Sequence, residues 1–351
     1  MSNTKLLCLA LVLALSSPRL AMPGPARSYV SGNYFLTLDG VKSGYVKSVD
    51  GGAISAEVIN EPAGPSYFTK KHIGQPRYEQ FTIQVGFSMT KVMYNWIQQS
   101  WRMSPSRMNG SIVALDSTLT PKSERQFTQA LITETTIPAM DGSSKEPAYM
   151  TIKFSPETIR TVAPSGDKAD YSENYKVEQK MFLPSNFRLE IAGLDCTKVN
   201  KIDSFTVKQT AVTDDIGDAR DALKQPGKLE FPNLKITLSE ASAQSWIDWH
   251  KSFVIEGKND ELAEKGGSLT LLSPDRQKVL AKINFLNMGI FRLQPDKAEA
   301  NADQIKRMTA ELYVERMEFE YGQDQGGTSP APAKPAGTTP APAGPAKSRR
   351  G

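Results

Sequence analysis

One feature limits the possible folds of this 351-residue chain more than any other: the sequence repeats at a fixed offset. The segment Asn33–Val41 (NYFLTLDGV) aligns without a gap on Asn186–Leu194 (NFRLEIAGL), at an offset of 153 residues. The same offset carries Val46 onto Val199 and Val49 onto Ile202. It places Phe81, Ile83 and Val85 on Leu234, Ile236 and Leu238, and Trp96 on Trp249. The register then slips by four, and Gly110–Ile112 matches Gly267–Leu269 at an offset of 157. A period of this length reads as two copies of one domain. The chain length agrees with two domains and tails.

Within each copy the hydrophobic pattern is mostly that of strands. Phe81–Val85 (FTIQV), Leu234–Leu238 (LKITL) and Glu311–Tyr321 alternate apolar and polar residues, the last with an irregularity in its middle. Period-two alternation marks strands with one buried face. Further strands are expected at Val46–Val58 and Val199–Val212, and closing strands near Tyr149–Phe154 and Glu311–Phe319. The long polar stretches Asn60–Arg77 and Thr213–Gly227 read as loops. One segment per copy follows the helical period instead. In Met89–Met103, the residues Met89, Val92, Met93, Trp96 and Ile97 share a stripe. Trp246, Trp249 and Phe253 do the same in the second copy, with Ile247 alongside.

These segments resemble the contractile-phage tail tube family. That family takes in the tubes of phage-tail-like injection particles and is similar in fold to the secreted tube protein of type VI systems. The resembling residues are Tyr34–Gly40, Gln75–Val85 and Tyr94–Ile97, with Phe187–Gly193, Leu229–Leu238 and Trp246–Trp249 as their counterparts. The resemblance implies a mainly β (β+α) chain of two tandem tail-tube-like β-barrel or sandwich domains, residues 28–165 and 183–322, each with one principal amphipathic helix. It implies a structural subunit that forms or caps the inner tube of a phage tail or phage-tail-like particle. Expected partners are further copies in rings (a trimer giving a pseudo-hexamer, or a hexamer) and other tail tube, sheath or baseplate proteins, met through strand edges and the two long loops. Members of the family mostly hold one such domain, and the two copies here have diverged. This points to a junction or cap role, with a homotypic tube as the other reading.

Composition argues against several other functions. The formal net charge of +4 comes from the ends: Lys5 and Arg19 on one side, and Lys334, Lys347, Arg349 and Arg350 on the other. The body between them is close to neutral and lacks the basic footprint of a nucleic-acid binder. The chain has two histidines, His72 and His250, and two cysteines, Cys8 and Cys196. These are too few, and too far apart, for zinc spacing or a Cys–His pair. Cys196 reads as a packed residue in a strand-linking segment. Asp214, Asp215, Asp218 and Asp221 lack the spacing and closing glutamate of a calcium loop. Gly51–Gly52 and Gly266–Gly267 read as turns and the tryptophans as core. The expectation is therefore no enzyme, with no catalytic, cofactor-binding or metal-binding residue to name.

The ends differ from the body. Lys5 followed by the apolar run Leu6–Leu15 is signal-like, and too short to span a bilayer. Residues 1–21 are either such a segment or precede a true start at Met22. The first option fits a secreted β-rich binding module without catalytic activity. The second fits cytoplasmic assembly into a tail-like particle. Residues 323–351 are rich in Pro, Ala and Gly and read as a disordered tail.

Overall fold

The computed structural model describes residues 32–62, 64, 69–87, 89–164, 166–175, 182–214, 221–296 and 305–322. Residues 1–21, the tail from 323, and Asp215 and Asp218 lie outside them.

The first body begins with β1 (Asn33–Leu38), β2 (Val41–Gly51), β3 (Ile54–Pro62), β4 (Thr69–Tyr78) and β5 (Phe81–Val85). Helix α1 (Lys91–Trp101), β6 (Met108–Leu115), β7 (Pro121–Ile137), the short β8 (Met140–Asp141), β9 (Met150–Ser155) and β10 (Thr158–Val162) follow. Six of these strands pair in the cyclic order β7-β6-β1-β2-β5-β9, and β9 returns to β7. The result is a closed barrel, which leaves its strands no free edge around the circuit. A linking helix, α2 (Lys168–Tyr175), lies against the outside of the barrel. Tyr171 packs edge-on to Phe35 there and accepts a 2.8 Å hydrogen bond from the Tyr45 hydroxyl through its carbonyl oxygen.

The second body contains β11 (Phe187–Ile191), β12 (Val199–Ile202), β13 (Phe205–Asp214), β14 (Leu223–Glu230), β15 (Leu234–Ser239), helix α3 (Gln244–His250), β16 (Lys265–Leu272), β17 (Val279–Pro295) and β18 (Arg307–Tyr321). Lys251–Ile255 continue α3 as a π-helical turn. Its own strands run β11-β16-β17-β18-β15-β12, the same circular order as the first, with β18 standing for β9 and β10 together, and β8 of the first body pairs on the far side of β12. Backbone pairing gives the correspondence residue by residue. Val46 pairs with Val85 as Val199 pairs with Leu238, and Ser55 with Arg77 as Lys208 with Glu230. Later in the chain Ile132 pairs with Phe154 as Ile290 pairs with Leu312. The offset is 153 up to the helix, 157 at β6 and 158 from β7 onward. Both long strands bend at the same place: Gln129 and Asn287 take left-handed φ angles of 50° and 53°. A bulge there lets one strand serve two neighbours in succession.

The two bodies differ in closure, and one turn accounts for it. Asp39 and Gly40 have φ of 45° and 78° and form a two-residue loop between the paired Leu38 and Val41. A turn with both central residues left-handed matches the twist of the flanking strands, and Asp-Gly suits it. The second body has Ala192-Gly193 at this point. Alanine has no polar side chain to support a left-handed backbone, and of the two only Gly193 is left-handed, at 73°. The chain runs on through residues 194–198, and β11 does not pair with β12. The two tail-tube-like β domains expected from the sequence are thus a closed barrel and a half-barrel that stays open along a β11–β12 seam.

The helices behave as their stripes predict. In α1 the residues Met93, Trp96, Ile97, Ser100 and Trp101 are buried, a 3.6-residue stripe aimed into the core. Trp246, Trp249 and Phe253 are buried in the second body, while Ile247 is exposed. The stretches expected as polar loops, Asn60–Arg77 and Thr213–Gly227, are in large part hairpin strands. The strand expected over Val46–Val58 breaks at Gly52 and Ala53 into β2 and β3.

Candidate assembly surfaces

The two hairpins are the same element in two situations. The β3–β4 hairpin forms a separate two-stranded sheet, and every residue of β3 is exposed. Its apolar side chains Ile54, Val58, Ile59 and Ile73 face solvent. The β13–β14 hairpin leaves its own body and docks on the first barrel. Phe205–Lys208 of β13 pair with Ile137–Glu134 at the end of β7, which joins the two bodies in one nine-stranded sheet. Phe205 and Val207 are 4% and 2% exposed there, against 52% for Ile54.

Polar contacts lock the docked hairpin. The Lys224 backbone N–H donates to Glu157 Oε1 at 2.9 Å, and its ammonium donates to Ser155 Oγ at 2.6 Å. Arg107 donates to the Lys224 carbonyl at 2.8 Å, and Ser100 to Gln209 Oε1 at 3.1 Å. Glu157 is buried, and its carboxylate meets donors on the hairpin instead of water. Burial pulls the Lys224 ammonium below the usual lysine range, with the Glu157 charge acting the other way. Beside this contact, helix α1 packs its outer face on β18. Tyr94 stacks on Tyr321 at 4.2 Å, Trp101 meets Phe319 edge-on at 5.5 Å, and Gln98 Nε2 donates to the Phe319 carbonyl at 3.0 Å.

The residues weighed for chemistry do not converge. His72 sits on exposed β4 and pairs with Glu61 at 2.9 Å. His250 ends α3. Cys196 is half-buried in the β11–β12 connection, where burial raises its thiol pKa. Asp221 accepts a hydrogen bond from the Tyr78 hydroxyl at 2.8 Å. Among the described residues no cluster of three or more His, Cys, Asp or Glu could hold a metal, and no helix is long and apolar enough to cross a membrane. An open cleft of about 850 Å³ lies along the β11–β12 seam, lined by Leu189, Ile191, Cys196, Val199 and Asn284 among others.

Comparison with known proteins fits this geometry. Residues 30–160 match the model of the T4-like virus tail tube protein gp19 family. The first body is similar to a tail tube domain. Several solved structures resemble part of the chain. A sheath/tube terminator of an extracellular contractile injection system is 20% identical, with 41% of this chain and 99% of that one covered and a TM-score of 0.33. The tube-terminating cap of the anti-feeding prophage is 16% identical, with 38% and 88% covered and a TM-score of 0.31. Hcp1 from Flavobacterium johnsoniae is 11% identical, with 38% and 93% covered and a TM-score of 0.23. No curated protein matches the chain. The tail tube match ends at residue 160, and the second body is held to the first through its docked hairpin.

The sequence marked the first arm of each hairpin as the end of a longer strand, Val46–Val58 or Val199–Val212, and the second arm as loop. In the first hairpin the signal was weak because every residue of β3 is exposed; in the second, only the Phe205–Gln209 end of β13 alternates. The β13–β7 pairing had no sequence signal.

Proposed function

We propose that the chain is a structural, non-enzymatic subunit of a phage tail or phage-tail-like particle, built from two fused tail tube domains at about residues 28–165 and 183–322. It assembles into rings that form or cap the inner tube. One observation carries this reading: a tail tube domain at residues 30–160 already holds, through β7, the hairpin of a second body with the same strand order. A contact between unlike faces of like domains closes into a ring when its rotation permits. Three chains then supply six domains, and sheath, baseplate or other tube proteins meet the ring's two faces. Assembly takes place in the cytoplasm. The divergence of the two bodies favours a cap or junction over a uniform tube, because each presents different side chains to its neighbours.

The test is native mass by light scattering on the full chain, with negative-stain images of the same sample. Trimers or hexamers seen as rings with a central hole are expected. A strict monomer across the concentration range overturns the ring reading.

A further inference from the structure

Each chain carries a counterpart of both sides of the docked-hairpin contact, and within the chain neither counterpart is filled. The pairings above place Gly52–Ser55 in the position of Phe205–Lys208, and Arg292–Pro295 in the position of Glu134–Ile137. The β7 segment Glu134–Ile137 has β9 on one side and β13 on the other. The corresponding stretch of β17 has only β18: its pairing with β16 stops at Met288, and no described strand covers the far side of Arg292–Pro295. The apolar surface follows the same logic. Val207, buried, corresponds to Ile54, exposed. Thr133, buried, corresponds to Phe291, 42% exposed. On the helices, Tyr94 and Trp101, covered by β18, correspond to Ile247 and Val254, both exposed.

The polar lock is half-built as well. Lys224 corresponds to Lys71 on β4, exposed and basic. Glu157 corresponds to Glu315, also a glutamate, and exposed rather than buried. Ser155 corresponds to Tyr313, whose hydroxyl donates to Glu264 Oε1 at 2.7 Å. The other oxygen of Glu264, Oε2, is buried with no hydrogen-bond partner. A carboxylate oxygen left this way is costly until a donor reaches it, and an incoming lysine supplies three.

We propose that the β3–β4 hairpin of one chain docks on the β17–α3 face of a second copy of this chain, as β13–β14 docks on β7 and α1 within the chain. This rests on the ring reading above. Ile54 pairs opposite Leu293, and Ser55 opposite Arg292. The Lys71 backbone N–H meets Glu315, and its ammonium enters the Tyr313–Glu264 group. Edge-to-edge addition of strands supplies backbone hydrogen bonds, with the side-chain lock setting the register. Pro295 lies at the strand end and removes at most one donor from the ladder. Every chain gives one hairpin and receives one, so the series stops only when it closes on itself.

The test is disulfide trapping in the full chain with Cys8→Ser and Cys196→Ser. Paired strand positions lie within disulfide reach. Val207→Cys with Thr135→Cys serves as the positive control, because those two positions pair inside the chain. Ile54→Cys with Leu293→Cys should shift the non-reduced gel band from one chain to multiples that end at the ring mass. Each single variant should stay at one chain. Lys71→Glu should reduce ring formation by setting a carboxylate against Glu264, and Glu315→Lys should reduce it by removing the acceptor for the Lys71 N–H. Rings that form while the Ile54/Leu293 pair gives no cross-link and the control pair oxidises would overturn this contact and leave the ring reading standing. A wild-type chain that never leaves the monomer overturns both.

Discussion

Positions 207 and 54 correspond in the two hairpins but differ in burial, so the same truncation should have different effects. Val207 is 2% exposed against the first barrel. Val207→Ala deletes two methyl groups. At about 0.8 kcal/mol of transfer free energy per group, plus a cavity term where the site relaxes only in part, the cost is about 2 kcal/mol. Ile54 is 52% exposed in the single chain. At a site of this kind, truncation changes stability by no more than about 0.5 kcal/mol. The assay is urea denaturation followed by tryptophan fluorescence, at a concentration low enough to keep chains apart, since association adds apparent stability. Val207→Ala should lower the midpoint clearly, and Ile54→Ala should leave it unchanged. At high concentration the order reverses for assembly: Ile54→Ala should raise the concentration needed for rings. If Val207→Ala did not move the midpoint, the docked hairpin would not be packed as described. If Ile54→Ala moved it equally in dilute solution, the free hairpin would be held within its own chain.

Two further outcomes follow from local geometry. A Cβ on Gly110 would lie 2.3 Å from the Thr37 carbonyl oxygen and 2.6 Å from the Phe127 ring. Gly110→Ala should therefore cost about 1–3 kcal/mol by overpacking, seen as a lower melting temperature, whereas Gly40→Ala, with open space around it, should cost only about 1 kcal/mol of backbone strain. Burial raises the Cys196 thiol pKa, and the thiolate is the reactive form. Its alkylation by iodoacetamide should then be slower than that of free cysteine at pH 8 and still be rising at pH values where the free thiol has levelled off. Equal rates would place the thiol in solvent.

The pieces of the fold that bury a face against their own body were legible in the sequence. Phe81–Val85 and Leu234–Leu238 read as strands because one side of each meets the core, and Trp96 and Trp249 marked the helices for the same reason. The alignment of the two halves was legible because side-chain class is kept at one offset, 153, as far as the helix. Three things were not. The β3 strand shows no alternation because both its faces are wet. The open seam depends on whether a turn's first residue takes a left-handed backbone, as Asp39 does and Ala192 does not, and in the sequence both neighbouring glycines read only as strand ends. The β13–β7 ladder joins residues about 70 positions apart, and its partner segment, Glu134–Ile137, carries threonines where an apolar run would have marked a buried strand. The assembly surface was therefore visible as two polar stretches and invisible as a contact.

The hairpin's placement also separates covalent order from physical order. The β13–β14 arm belongs to the second body by sequence, yet its strand pairs with β7 of the first, and Phe205 bridges the two by meeting Phe285 of its own body edge-on. A protease that cut the connection between residues 175 and 182 would produce two fragments on a denaturing gel and a single particle in native solution. Expressed separately, the two halves should each be poorly soluble and should recombine when mixed, with the arm of one restoring the missing strand of the other.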